Sequence, residues 1–431
     1  MRQIGVGILG FGTVGAGVVD GLQRNRGKLA ERLDIDIVLR RVADLDISTD
    51  RGVAVEMSVL TTDARLVVGN PQIDIVVELI GGCGIARQLV REALEAGQSV
   101  VTANKKLLAE HGSELFELAE KKGVDLYFGA SVGGGIPIIR TIREALSGNE
   151  IESILGILNG TCNYILTRME AEGLSFDDAL AAAQMEGYAE ADPTLDVDGY
   201  DTLHKSAILA ALAYGFTPDV HTLSVTGIRG VVDAKDIRYA KALGFRIKLL
   251  GIIRRQGGEV EVRVEPTLVA EDSMLGSVNG VFNAALVECD LAGTTLYYGR
   301  GAGRLPTAST VIGDIADVAF NRVHNAPLKV IIPKSRVPVR LKPSGEVQSR
   351  HYLRVSIKDE VGTMAKVASV LAAKGVSIAS VLQQDIADAS GGFVPIVILT
   401  HKARKADVEA ALAEIDQLDI VGQRTVRLGI E

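Results

Sequence analysis

Six carboxylates crowd into one stretch, Glu186, Glu190, Asp192, Asp196, Asp198 and Asp201, and a lysine, Lys205, closes it. Asp196-Val197-Asp198-Gly199 imitates part of a calcium-binding loop, but aligning its glycine puts Lys205 where the bidentate Glu belongs, which disfavours calcium. A solvated acidic loop is the plain alternative. Asp201 and Lys205 stand four residues apart within a helical pattern and so share one face. A carboxylate holding a lysine ammonium is a proton donor for a developing alkoxide, and the neighbouring acids suit a substrate carrying its own ammonium group. A second lysine, Lys105, follows Val101-Thr102-Ala103-Asn104 and is placed to polarise a carbonyl or touch a cofactor, or to be a surface residue beside Lys106.

Gly10-Phe11-Gly12-Thr13-Val14-Gly15 is a G-x-G-x-x-G that closes an apolar strand and opens a helix. The first glycine permits the tight turn, the second a close approach by a pyrophosphate, and the third close helix packing. The helix start adds backbone N–H groups and partial positive charge. The next strand ends in Val42-Ala43-Asp44-Leu45-Asp46, where Asp44 would accept hydrogen bonds from ribose hydroxyls and repel a 2′-phosphate. NAD is therefore favoured over NADP, although Arg40 and Arg41 stand near enough to serve a phosphate.

These groups need elements to hold them. Over the first ~130 residues, short apolar strands (Ile4–Leu9, Ile37–Ala43, Ile75–Leu79, Ser99–Thr102, Asp125–Phe128) alternate with helical patterns (Val14–Gln23, Ile85–Ala96, Ser113–Lys122). That is the pattern of a doubly wound, Rossmann-type α/β domain with a parallel sheet. The apolar run Ile73–Ile80 reads as a strand covered on both faces, and Leu79-Ile80-Gly81-Gly82 after it lies where the nicotinamide half of a cofactor would pass. From Gly134 the pattern shifts to helices (Pro137–Ser147, Asn163–Glu172, Phe176–Gln184, Thr202–Tyr214) ahead of strands near Lys248–Arg254 and Glu259–Pro266, an α+β domain. Pro333–Gln348 reads as a linker. Beyond it, Tyr352–Ile357, Thr363–Lys374, Ser377–Gln384, Phe393–Thr400 and Lys405–Ile415 give β-α-β-β-α, a ferredoxin-like module. Domains are expected at 1–133, 134–335 and 350–431, consistent with a chain of 431 residues.

The composition, 47% apolar and 23% charged, is ordinary for a globular protein. A net charge of −8 with both signs interspersed leaves no basic footprint for nucleic acid. Cys83, Cys162 and Cys289 lie far apart, match no metal-ligand or redox spacing, and fit a reducing compartment. No signal-peptide pattern precedes the first strand, and no apolar run approaches the roughly 20 residues that span a bilayer. A cytoplasmic protein with no membrane or nucleic-acid partner is expected, and no kinase-like segment precedes the first strand.

Four blocks, in order, resemble homoserine dehydrogenases: Val101–Lys105, Ile154–Tyr164, Ala183–Lys205 and Gly299–Ala308. The resemblance implies NAD(P)-dependent interconversion of L-aspartate 4-semialdehyde and L-homoserine in threonine, methionine and isoleucine biosynthesis. It implies Lys205 as proton donor, with Asp201 and Lys105 at the reacting centre. Glu190 and Asp196 would hold the substrate's amino and hydroxyl groups, while Gly303 and the Phe11–Val14 turn would contact cofactor. Thr161 and Asn163 are substrate contacts or helix-start residues. The family's sodium or potassium site, built from main-chain carbonyls, maps onto Gly129, Val132, Gly134 and Ile136. Gly129 replaces a common Glu, and Leu45 stands where many members carry a basic residue, a second pointer to NAD.

His351–Lys366 resembles the opening of an ACT domain, an amino-acid-sensing fold, with Val361 where a proline often precedes the turn glycine, Gly362. This implies L-threonine as effector and pairing between subunits in a homodimer or homotetramer. A different class, a non-catalytic dinucleotide sensor, predicts loss of at least one of Lys105, Asp201 and Lys205, and all three are present. Among enzymes, a dehydrogenase of another amino-acid carbonyl is the runner-up.

Overall fold

The computed structural model describes residues 1–326, 339–383 and 392–431. The expected domain boundary at 335, the first residues of the expected linker and Gln384 lie outside the described residues. Two compact units emerge: one of Met1–Ile151, His204–Thr222 and Asn283–Pro338, the other of Glu152–Leu203, Leu223–Phe282 and Val339–Glu431.

The first unit is built on β1 (Arg2–Leu9), α1 (Thr13–Leu33), β2 (Ile35–Ala43), β3 (Leu60–Thr61), β4 (Ile75–Glu78), α2 (Gly84–Glu95), β5 (Ser99–Thr102), α3 (Lys105–Lys122) and β6 (Leu126–Tyr127). Its six strands are parallel in the order β3-β2-β1-β4-β5-β6. The chain leaves β1 toward one edge and returns at β4 toward the other, so the strand order reverses between them, the place where doubly wound sheets bind nucleotides. All of β4 is buried, as its unbroken apolar run predicts. α1 runs ten residues past the expected end at Gln23, because its second half is charged and carries no apolar stripe; good helix formers and the Asp20–Arg24 pair extend it. It stops at Asp34, in the left-handed conformation.

A 21-residue helix, Arg304–His324, which periodicity did not reveal, packs along α1. The approach is so close that a Cβ on Gly17 would stand 2.6 Å from the Arg304 carbonyl oxygen. The expected helix over Pro137–Ser147 is instead a short turn of helix at Ile138–Arg140 that widens to π-type bonding over Thr141–Ala145.

In the second unit, Ile151–Ile157 pairs antiparallel with Phe245–Gln256, which forms a hairpin with Glu259–Ala270. The outer strand of that hairpin then pairs, parallel, with the chain's last strand, Val421–Ile430, at Thr267↔Gly429 and Leu268↔Ile430. Beyond it come Gln348–Lys358, Phe393–Thr400 and Ile378–Gln383, all antiparallel. With helices Thr363–Ala373 and Lys405–Ile415, the C-terminal module is a complete β-α-β-β-α-β, one strand more than its sequence pattern disclosed. Its own core gathers Leu353, Val355, Val367, Leu371, Ile396, Ile398, Val408 and Ile415.

The seam between module and preceding sheet is polar and buried. Arg263, 3% exposed, is ion-paired to Glu261, Glu265 and Glu431, and Arg427 reaches Glu265 at 3.0 Å. Arg354 grips Asp236 at 2.6 Å and Asp233 at 2.7 Å, and the Tyr352 hydroxyl donates to Asp236. His351, fully buried there, is pushed down to about 4 by desolvation and then by Arg427, and so is neutral at physiological pH. No helix among the described residues is long and apolar enough to cross a membrane.

Candidate active site

At the carboxyl edge of the parallel sheet, Gly10 adopts φ +101° and Gly12 serves as the N-cap of α1. No side chain caps that helix and its first turn holds no acidic residue. A Cβ at Gly12 would meet open space, whereas one at Gly15 would strike the Gly10 carbonyl at 2.1 Å. An uncapped helix start beneath a bare glycine turn fits the pyrophosphate of a dinucleotide. Phe11, Thr13 and Val14 complete the turn.

Asp44 stands just past β2, as expected, and is half-buried. Its carboxylate accepts from the Phe11 amide and, at 2.9 Å, from the Asp46 amide, so it braces the glycine turn. Arg40 donates to Gln3 at 3.0 Å and Arg41 to the Ser58 carbonyl. Leu45 is 93% exposed.

Two residues that sequence reasoning passed over organise the next turn. Glu78, fully buried at the end of β4, accepts from the amides of Ile80 (2.9 Å) and Gly81 (3.0 Å) and from the Thr102 hydroxyl (2.6 Å). Asn104 donates to the Gly82 carbonyl at 2.7 Å and caps α3 through Leu107 N at 3.1 Å. The signal was available: a carboxylate closing an apolar strand needs partners. Lys105 is the first residue of α3, half-buried at this same edge. Glu78→Ala would strand two amides and a hydroxyl. It is expected to cost roughly 2–4 kcal/mol, read as a lower Tm together with a raised KM for the dinucleotide.

Lys205 lies on the helix Tyr200–Tyr214, buried at 8% exposure, one turn after Asp201, at 3%. The half of that helix from His204 onward belongs to the same unit as the parallel sheet, where Ala207, Ile208 and Ala211 share an apolar cavity with Leu108, Ala109 and Gly112 of α3. The helices that bear Lys105 and Lys205 therefore pack together.

In the second unit, Asn159 joins the acids. It caps helix Gly160–Glu172 through Cys162 N at 2.8 Å, and its amide nitrogen donates to Asp196 at 2.7 Å and to Asp201 at 2.9 Å. Asp196 is half-buried and Glu190 is exposed. The remaining acids have structural partners: Asp192 accepts from Thr194 N, Asp198 pairs with Arg229 at 2.9 Å, and Glu186 binds the Tyr164 hydroxyl and Arg168. Asn163 is a helix-start residue, in the first turn of the helix that Asn159 caps. Its amide reaches the carbonyls of Val278, Gly280 and Phe282, and its oxygen accepts from the buried Lys248 at 3.2 Å. Thr161 donates to the Tyr188 carbonyl.

The loop expected to hold a cation carries positive φ at Gly133 and Gly134. The Gly134 carbonyl accepts from Thr310 (2.7 Å) and that of Ile136 from Ile138 N (2.8 Å), each keeping a second lone pair, with Val132 buried between. Gly129 donates its amide to Asp314 at 2.7 Å, and a Cβ there would stand 2.9 Å from both Asp314 oxygens, so a side chain at this position requires Asp314 to shift. Burial pushes Asp314 up to about 7. Gly303, at φ +122°, caps the helix that packs on α1.

Strand order, glycine turn and open helix start define a dinucleotide-binding α/β protein. Family models described as "Homoserine dehydrogenase, NAD binding domain", "Homoserine dehydrogenase" and "ACT domain" match residues 10–129, 137–316 and 351–419. The homoserine dehydrogenase of Neisseria gonorrhoeae is 43% identical over 435 residues, covering 100% of this chain and 99% of that one. The solved homoserine dehydrogenase from Thiobacillus denitrificans is 42% identical with a TM-score of 0.94, covering 100% and 99%. A hyperthermophilic archaeal homoserine dehydrogenase in complex with NADPH superposes at TM-score 0.64 and 27% identity, covering 74% of this chain and 98% of that one. The chain belongs to the homoserine dehydrogenase family. Its reaction is the NAD(P)-dependent interconversion of L-aspartate 4-semialdehyde and L-homoserine, on the route to threonine, methionine and isoleucine.

Proposed function

We propose that this homoserine dehydrogenase uses NAD in preference to NADP and relies on Lys205 as its proton donor. The observation that carries the cofactor preference is Asp44 at the end of β2, with Arg40 and Arg41 both engaged away from that position. A 2′-phosphate there would meet the Asp44 carboxylate.

Bound nicotinamide supplies or accepts the hydride. The chain's own residues do the rest. Gly10, Gly12 and Gly15, with Phe11, Thr13 and Val14, present backbone amides and a helix start to the pyrophosphate, and Gly303 and Lys105 add contacts to the cofactor. The Lys205 ammonium donates a proton to the carbonyl oxygen as negative charge grows there, and withdraws it in the reverse direction. Asp201, one turn earlier, holds that ammonium charged and oriented. Glu190 and Asp196 bind the substrate's ammonium and hydroxyl.

The domains of this reading are 1–133 for dinucleotide, 134–335 for substrate and dimerisation, and 350–431 for regulation. Carbonyls of Gly129, Val132, Gly134 and Ile136 form the site for sodium or potassium, which orders the loop. L-Threonine is the effector of the C-terminal module, and the assembly is a homodimer or homotetramer. One assay tests the set: homoserine oxidation with NAD and NADP in parallel, with sodium or potassium varied and threonine titrated. A kcat/KM for NAD at least tenfold that for NADP is expected; parity would overturn the preference, and indifference to millimolar threonine would remove that effector.

A further inference from the structure

Cys83, Glu110 and His111 each bring one metal-binding atom to a common point in the first unit, all three atoms lying within 4.8 Å of one another. Sequence spacing hid this cluster, because the thiol sits at the N-cap of α2 while the other two groups come from the middle of α3, 27 and 28 residues later. All three residues are half-buried. The Cys83 thiol donates to one Glu110 oxygen at 3.2 Å, and the other oxygen lies 4.0 Å from Nε2 of the buried His204. Lys106 Nζ, at 3.9 Å from Glu110, is the nearest competing cation, and Arg87 nearby pairs with Glu114 at 2.5 Å.

We propose that Cys83, Glu110 and His111 form a binding site for an exchangeable divalent transition-metal ion, with zinc the best match. One thiolate, one carboxylate and one imidazole make a mixed S/O/N set that selects zinc over magnesium or calcium, which take oxygen alone. With bonds of about 2.0–2.3 Å to a central ion, ligand atoms need to close only slightly from their present separations, and a fourth position stays open to water.

A reactive-cysteine reading is weaker. Burial, then the hydrogen bond to Glu110, pushes the thiol up to about 11, opposite to the shift that makes a nucleophilic thiolate. What ionises such a sulfur is a cation placed on it: the thiol loses its proton, the sulfur–metal bond forms, and one proton is released per ion bound. The site is separate from the cation loop at Gly129–Ile136, which offers only oxygens. Because Cys83 directly follows Gly81 and Gly82, an ion here ties the turn braced by Glu78 to the body of α3.

The test uses chelator-treated full-length protein titrated with cobalt(II), followed by displacement with zinc. The unaltered chain is expected to develop the near-ultraviolet charge-transfer absorption of a cobalt–thiolate bond, to saturate near one ion per chain, and to release about one proton. Cys83→Ser should abolish that absorption, and His111→Asn should weaken cobalt affinity by roughly tenfold or more. Both variants should keep the parent far-UV circular dichroism. No thiolate absorption from the unaltered chain at hundredfold excess cobalt overturns the proposal. So does persistence of the band in Cys83→Ser, which would assign it to Cys162 or Cys289, or parent affinity in His111→Asn.

Discussion

Lys205→Ala is expected to lower kcat by roughly a thousandfold, the middle of the range for loss of a general acid, while the dissociation constant for the dinucleotide changes less than about threefold. The split follows from position. Lys205 is buried on the helix that packs against α3 and not in the glycine turn, so in the proposed mechanism its loss removes charge stabilisation at the reacting oxygen and leaves nucleotide binding intact. Steady-state rates in the homoserine-oxidising direction, with a fluorescence titration of nucleotide, separate the two effects. A variant within tenfold of the parent in kcat would take Lys205 out of the chemistry. Lys205→Arg keeps the charge but loses the ability to pass a proton, because guanidinium does not deprotonate. It should fall nearly as far.

The second large effect belongs to Asn159. Its single amide group donates to both Asp196 and Asp201, and its oxygen caps the following helix. Asn159→Ala removes the hydrogen-bonded bridge between the two carboxylates. We expect kcat/KM for homoserine to fall by roughly a hundredfold, the scale of a misplacement near 1 Å, and the lost cap to cost about 1 kcal/mol. Asn159→Asp distinguishes the two roles. Aspartate caps a helix as well as asparagine does, so Tm should recover, but a third carboxylate repels the other two, so kcat/KM should not. Recovery of both would reduce Asn159 to a helix cap.

The sequence made the sheet legible wherever strands are buried on both faces, since Ile75–Glu78 and Ser99–Thr102 can be nothing else. Elements whose stability comes from partners distant in the chain were opaque. Ile151–Ile157 and Phe282–Cys289 carry no clean alternation, and the helix Arg304–His324 hides behind a glycine-rich lead and a proline at its third position. The final strand, Val421–Ile430, is half polar because it lies in the ion-paired seam, so its pattern does not advertise burial. At the site, residues that carry charge toward a ligand could be named from type and spacing. The neutral groups that hold them, Asn104 and Asn159, could not, because their role consists of hydrogen bonds to residues distant in the chain. The acidic cluster was over-read for the same reason: Glu186, Asp192 and Asp198 serve local turns and ion pairs.

The parallel join at Thr267 and Leu268 makes the sensing module part of the scaffold that bears Asn159, Asp196 and Asp201. Amputating it would do more than silence an effector. It would bare the β-edge at Thr267 and Leu268 and leave Glu265 and Arg263 without their Arg427 and Glu431 counter-charges. The C-terminal module and the stability of the sheet are thus coupled in this chain, and the module is better probed by point changes around Gly362 than by shortening the protein.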